Sequence, residues 1–110
     1  MISIAGSGTQ SAVVGTEHTL GPASLPTGAY ELHVDEAAMI AGDTVELALK
    51  EPVLSGGTLR RAAYLTTTGA IAAPEIKVLG PITIRSGGSA TLKQTAGAAR
   101  AYPWELRQVG

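Results

Sequence analysis

Glycine and proline divide this chain into short segments, and their spacing constrains the fold more than any other feature of the sequence. Fourteen glycines and six prolines stand among the 110 residues, and both residue types interrupt helices and strands. The one helix-friendly stretch, residues 36–41, is stopped by Gly42, so we expect one turn there at most. Many short runs separated by turns are typical of a β-sandwich or a barrel.

Two runs show clear strand periodicity. Apolar residues at positions 30, 32 and 34 alternate with Glu31, His33 and Asp35, and residues 45–50 repeat the pattern. A period of two places one face of each strand in the core and the other in water. We expect the second of these strands to form an antiparallel hairpin with a strand over about residues 58–68.

The remaining punctuation predicts where the other elements end. We expect a β-leaning run over residues 11–20 that stops before Gly21-Pro22, and a loop over residues 69–74. A strand over residues 76–84 is interrupted by Gly80-Pro81, which predicts a bulge or a change of sheet.

The last strand alternates as well, with Tyr102, Trp104 and Leu106 on one face. This alternation predicts that Trp104, the one tryptophan, lies in the core. Pro103 indicates that the strand starts at the edge of a sheet, because proline gives no N–H to a ladder.

Together these segments predict an all-β fold. We expect a single-domain antiparallel β-sandwich, of jelly-roll or immunoglobulin-like type, with seven or eight short strands in residues 11–110. Residues 1–10 are small and rich in glycine, which predicts a flexible N-terminal arm.

Composition argues against several classes of function. Net charge is −1, the only adjacent cations are Arg60-Arg61, and aromatic residues make up 4%, so nucleic-acid binding is not expected. Cysteine is absent, and no apolar run approaches the roughly 20 residues of a membrane span. Charged residues are only 15%, which indicates that a partner covers part of the surface.

Catalytic and metal-binding patterns are weak. His33 lies between Glu31 and Asp35 on the polar face of a strand, as a metal ligand or as a solvated side chain. The carboxylates Asp35, Glu36 and Asp43 flank one turn, where calcium binding and ordinary turn chemistry are both open. No nucleophile motif accompanies them, so we expect no enzyme and no cofactor.

Apolar residues near the N-terminus are the better candidates for function. Ile2 and Ile4 lie in the predicted arm, and Val13 and Val14 follow it closely. Apolar side chains on a flexible segment often become ordered against a partner. We therefore predict that these four residues belong to a protein interface, with an ordinary disordered terminus as the alternative.

Two segments resemble small virion proteins of tailed bacteriophages. The first joins residues 28–35, GAYELHVD, to residues 39–47, MIAGDTVEL. The second runs through residues 91–94, TLKQ, then Gly97 and Arg100, to residues 103–107, PWELR. The resemblance covers residues 16–109, and it implies a capsid decoration, or cement, protein.

By this resemblance the chain is made in the host cytoplasm and joins the virion, where it binds the major capsid protein or other virion proteins. The resemblance also implies a homo-oligomer, a trimer in the first instance, on the outer capsid lattice. Within the same class, a head–tail connector or tail component is the alternative. A small carbohydrate-binding β-sandwich is the alternative of another class, and it would need exposed aromatic residues arranged as a platform.

Overall fold

The computed structural model of the protein describes residues 2–70 and 76–109, and it folds them into eight antiparallel strands without a helix. The predicted β-sandwich is confirmed. The strands are β1 (Ile2–Ser11), β2 (Glu17–Leu25), β3 (Gly28–Asp35), β4 (Thr44–Pro52), β5 (Leu59–Thr68), β6 (Ile76–Ile84), β7 (Gly88–Ala96) and β8 (Ala101–Val109).

The connectivity of the two sheets is that of a jelly roll. Sheet A has the strand order β1-β8-β3-β6, and sheet B has the order β2-β7-β4-β5. Each strand of the first half of the chain therefore pairs with one of the second half: β1 with β8, β2 with β7, β3 with β6 and β4 with β5. Eight strands joined in this way make the jelly roll, which selects one of the two sandwich types that the sequence left open.

The core lies between the sheets and follows the predicted alternation. Tyr30, Leu32 and Val34 of β3 are fully buried, and Leu47 and Leu49 of β4 face them from the other sheet. Burying a leucine side chain fully contributes roughly 1.5–3 kcal/mol. These inward faces are what holds the two sheets together, and the outer faces are left for other contacts.

The N-terminal segment is a strand, and the prediction of a flexible arm over residues 1–10 is wrong for residues 2–10. They form most of β1, which pairs with β8 from Ile2 to Ser11. Glycines here serve packing: a Cβ on Gly6 would lie 3.1 Å from Gly21 Cα and 3.2 Å from the Trp104 ring. The two sheets approach closely at this edge because neither glycine has a side chain.

Two further boundaries differ from the prediction. The chain does not leave the sheet at Gly21-Pro22, because β2 continues to Leu25 with its ladder to β7 interrupted after Leu20. Nor does Pro103 mark a sheet edge, since β8 lies between β1 and β3. The pairing of β8 with β3 begins at Trp104. Pro103 therefore lies just outside that pairing, where the missing N–H of proline removes no hydrogen bond.

The bulge predicted at Gly80-Pro81 is confirmed. The register of β3 against β6 shifts between Tyr30 and Leu32, opposite these two residues. Trp104 is half-buried and packs against the core as the alternation predicted. Most of the loop predicted at residues 69–74 lies outside the described residues, which include Gly69 and Ala70.

Candidate protein-binding surfaces

The outer face of sheet A exposes four large aliphatic side chains. Ile2 and Ile4 on β1 are 60% and 54% exposed, and Ile76 and Val78 on β6 are 59% and 46% exposed. Ile4 stands opposite Arg107, and Val78 stands opposite His33. Because residues directly opposite each other share one face of a sheet, these apolar groups flank the polar side chains of β3 and β8. We call this surface face A; its residues include Ile2, Ile4, Ser7, Thr9, Glu31, His33, Asp35, Ile76, Val78, Pro103, Glu105 and Arg107.

The middle of face A is charged and ordered by short contacts. His33 Nε2 lies 3.1 Å from Glu31 Oε1, and Arg107 Nε donates to Glu105 Oε1 at 2.6 Å. A shallow depression runs beside them, from Thr9 on β1 to Ile76 on β6. Face A therefore offers apolar contacts at two opposite corners and a polar strip between them.

The outer face of sheet B is different in character. We call it face B; its residues include Glu17, Thr19, Glu46, Lys50, Leu59, Arg61, Tyr64, Thr66, Thr91 and Lys93. Lys50 pairs with Glu17 at 2.7 Å, and the Arg61 guanidinium lies 4.1 Å from the centre of the Tyr64 ring. Apart from Leu59 at the end of β5, the exposed side chains are polar or carry a polar group, as on a sheet facing water.

The structure separates the four residues predicted to form an interface. Ile2 and Ile4 lie on face A, whereas Val13 and Val14 lie in the turn between β1 and β2. A strand of ten residues is about 30 Å long, and it stands between the two pairs. Val13 and Val14 are exposed, at 57% and 40%, but they belong to a different surface.

Two of the exposed apolar residues that the sequence did not single out lie in one loop. Val53 and Leu54 are 77% and 72% exposed in the loop between β4 and β5, where Gly57 N donates to Leu54 O at 2.9 Å. The signal was present, because two aliphatic residues directly precede the turn-forming residues 55–57. Their loop lies at the end of the sandwich opposite Val13 and Val14.

The carboxylate of Asp43 accepts hydrogen bonds from other residues of the protein. Arg100 Nε donates to Asp43 Oδ2 at 2.8 Å, and the amides of Ile40 and Ala98 donate to the same carboxylate. The hydrogen bond from Arg100 is the largest cause that holds the pKa of Asp43 below its ordinary value of 3.8. These bonds join the β3–β4 loop to the β7–β8 loop, so Asp43 has a structural role.

The other two carboxylates that flank this turn are Asp35 and Glu36. Asp35 Oδ1 accepts a hydrogen bond from Ala37 N at 3.0 Å, an Asx turn. Neither oxygen of Glu36 has a hydrogen-bond partner in the described part of the chain. Burial raises the pKa of Glu36, although Thr67 and Lys77 lie near enough to oppose this. Residues 2–70 and 76–109 contain no group of three or more histidine, aspartate or glutamate side chains placed to hold a metal ion.

Beside this turn, a buried polar pair sits within the core. Tyr102 Oη donates to Gln94 Oε1 at 3.1 Å, and Gln94 Nε2 donates to the carbonyls of Ala96 and Ala98. Burial raises the pKa of Tyr102 to about 12. The pair fixes the β7–β8 loop from inside, so it supports the fold.

Of the four aromatic residues, only one is well exposed. Tyr30 and Tyr102 are fully buried, Trp104 is half-buried and Tyr64 is 48% exposed on face B. A sugar-binding platform needs several exposed rings, so this arrangement does not favour the carbohydrate-binding alternative.

No helix among the described residues is long and apolar enough to cross a membrane. Comparison of the chain with known protein families, with curated proteins and with solved structures finds no match. The function therefore has to be argued from the geometry of the surfaces.

Proposed function

We propose that this protein is a non-enzymatic structural protein of a virion, and that it decorates a phage capsid by laying face A on the capsid surface. The observation that carries the proposal is the pair of exposed aliphatic clusters on that face, Ile2 with Ile4 and Ile76 with Val78. A solvated antiparallel sheet normally has a polar outer face. Contiguous or paired apolar groups on a surface mark places where another protein binds.

The polar strip of face A adds specificity to this contact. Its carboxylates outnumber its arginines and lysines, since Glu31, Asp35 and Glu105 share the strip with Arg107. A capsid surface that supplies cations opposite this strip would be selected over one that does not. Many copies bound by modest contacts on a symmetric lattice would together resist disruption of the shell.

The resemblance of residues 16–109 to small phage virion proteins supports the choice of a capsid among possible partners. The jelly roll is consistent with it, because this fold occurs in viral capsid proteins, although it also occurs in lectins and cupins. A head–tail connector or tail component is the alternative within the same class, and copy number separates it from a decoration protein.

The experiment is co-sedimentation of the purified chain with capsids of the cognate phage prepared without it. We expect saturable binding at a fixed ratio to the major capsid protein, and a higher temperature of capsid disruption when the chain is bound. Binding of about a dozen copies or fewer would move the protein to the tail or connector. Absence of binding, together with specific signals on a glycan array, would replace the proposal with the carbohydrate-binding alternative.

A further inference from the structure

The four edge strands of the two sheets are protected to different degrees. An edge strand exposes unpaired N–H and C=O groups, and proteins commonly guard it with proline or a charged side chain. Proline stands in β2 at Pro22 and in β6 at Pro81, and β5 carries Arg60 and Arg61. No charged residue and no proline occurs in β1 from Ile2 to Ser11.

One hydrogen bond beyond the end of β1 shows which of its backbone groups are free. Ala12 N donates to Arg100 O at 2.8 Å and so continues the ladder between β1 and β8. In an antiparallel pair, bonded and non-bonded positions alternate. Gly8 and Gln10 therefore point their backbone groups at β8, whereas Ser7 and Thr9 point theirs away from it.

The outward groups of Ser7 and Thr9 have no hydrogen-bond partner within the described residues. β1 pairs with β8 alone, and the one side-chain bond to its backbone runs from Gln10 Nε2 to Ser11 O at 3.0 Å. Their side chains lie on face A and are exposed, so the edge is open from that side as well.

We propose that β1 pairs antiparallel with β1 of a second copy of this chain. Identical strands pair in this way about a two-fold axis, and two-fold dimers are the commonest closed oligomers. A strand without charges meets its own copy without repulsion, whereas Arg60 and Arg61 would face their copies if β5 paired with itself. The small residues Gly6, Ser7 and Gly8 also allow close approach of an identical backbone.

The dimer would join two copies of sheet A into one sheet of eight strands. A two-fold axis perpendicular to that sheet keeps both copies of face A on the same side. The new strand would lie beside Ile2 and Ile4 and cover part of their exposed surface. Ile76 and Val78 on β6 stay uncovered, and the pairing is tested in the purified chain without capsids.

Amide hydrogen exchange followed by NMR in the purified wild-type chain tests the pairing directly. Gly8 and Gln10 are the internal reference, because their amides are bonded to β8 in either case. We expect the amides of Ser7 and Thr9 to exchange within about tenfold of that reference at high protein concentration, and to speed up on dilution. Exchange of Ser7 and Thr9 roughly a hundredfold faster than the reference at every concentration would overturn the proposal.

Variants provide a second, independent readout by analytical ultracentrifugation. Thr9→Pro removes an outward N–H without touching the β8 ladder, so we expect a monomer, while the matched Thr9→Val remains a dimer. Because proline can also disturb the fold, two charged variants complete the test: Ser7→Asp/Thr9→Asp and Ser7→Lys/Thr9→Lys. Each should be monomeric alone and the two should form a mixed dimer, since only pairing across the edge brings opposite charges together. A monomeric wild type, or mixed variants that stay apart, would contradict the proposal.

Discussion

Face A and face B belong to sheets of equal size, but only face B has the polar character of a sheet that faces water. Face B presents threonines and ion pairs such as Lys50–Glu17, and its most exposed ring, Tyr64, bonds through its hydroxyl to Thr66 at 2.7 Å. Face A presents Ile2, Ile4, Ile76 and Val78. This difference between the two outer faces is the basis of our proposal that solvent covers face B and a protein covers face A.

We expect the largest effect on binding when face A is made polar. Ile76→Thr/Val78→Thr removes two apolar contacts, and we expect capsid binding to weaken roughly 10- to 100-fold, which is a loss of about 1.4–2.8 kcal/mol for the two residues together. Co-sedimentation at several protein concentrations measures the change. These residues lie on β6, far from the β1 edge, so self-association should be unaffected.

The matched control for that variant lies in the turn between β1 and β2. Val13→Thr/Val14→Thr makes a similar change to two exposed aliphatic residues outside both faces. We expect its capsid binding to stay within about twofold of wild type, and the stability of both double variants to change by less than about 0.5 kcal/mol. Equal losses of binding in both would contradict the assignment of face A.

Changes inside the sandwich should separate stability from binding. Asp43→Asn weakens the hydrogen bonds that the carboxylate accepts from Arg100 and from backbone amides. We expect this variant to show the largest loss of thermal stability. Because its folded pKa is lowered, this carboxylate stabilises the protein above its unfolded pKa, and the benefit is lost as pH falls through the folded pKa. The melting temperature of the variant should therefore differ most from wild type at pH 7 and least in acid, with capsid binding of the folded protein unchanged.

Tyr102→Phe is the next smaller change. It leaves Gln94 Oε1 buried without its phenolic donor, and we expect a cost of about 1–2 kcal/mol in the free energy of unfolding. Urea denaturation gives this value directly. A variant as stable as wild type would show that the bond contributes little and that water or a shift of Gln94 replaces it.

Glu36→Gln should act in the opposite direction to Asp43→Asn. Burial raises the folded pKa of Glu36 above its ordinary value of 4.5. Ionisation of Glu36 therefore lowers the stability of the folded protein as pH rises from the unfolded pKa through the folded pKa. At lower pH the carboxyl group is protonated in both the folded and the unfolded protein. We expect the variant to melt higher than wild type at pH 7 and close to wild type below pH 4. A variant that melts lower at pH 7 would mean that the ionised carboxylate is stabilised by Thr67 or Lys77.

On face B the expected effect is smallest. Tyr64→Ala removes the ring beneath Arg61 and the hydroxyl bonded to Thr66, both at the surface. We expect a loss of stability of less than about 1 kcal/mol and no change in capsid binding. Loss of binding comparable to that of the face A variant would remove the distinction between the two faces.

Local alternation was enough to predict the strands that carry the core. Residues 30–35 and 45–50 keep an unbroken period of two, so their buried faces could be read directly from the sequence. β1 could not be predicted in this way, because a glycine-rich segment taken alone indicates flexibility. The packing role of its glycines becomes visible only in the fold, where Trp104 and Gly21 lie against them.

The apolar cluster on β6 shows why half of face A escaped prediction. Ile76, Val78, Ile82 and Ile84 all have even numbers, which places them on one face of a regular strand. The bulge at Gly80-Pro81 reverses the parity, so Ile76 and Val78 point outward while Ile84 is fully buried. A bulge was expected at these residues, but its effect on the faces depends on the pairing with β3.

Cryo-electron microscopy of the virions that contain this chain would show directly where it binds and through which face. We expect hundreds of copies over the icosahedral shell, each with Ile76 and Val78 against the capsid protein and face B toward solvent. Particles that lack the chain, or copies bound through face B with face A exposed, would contradict it.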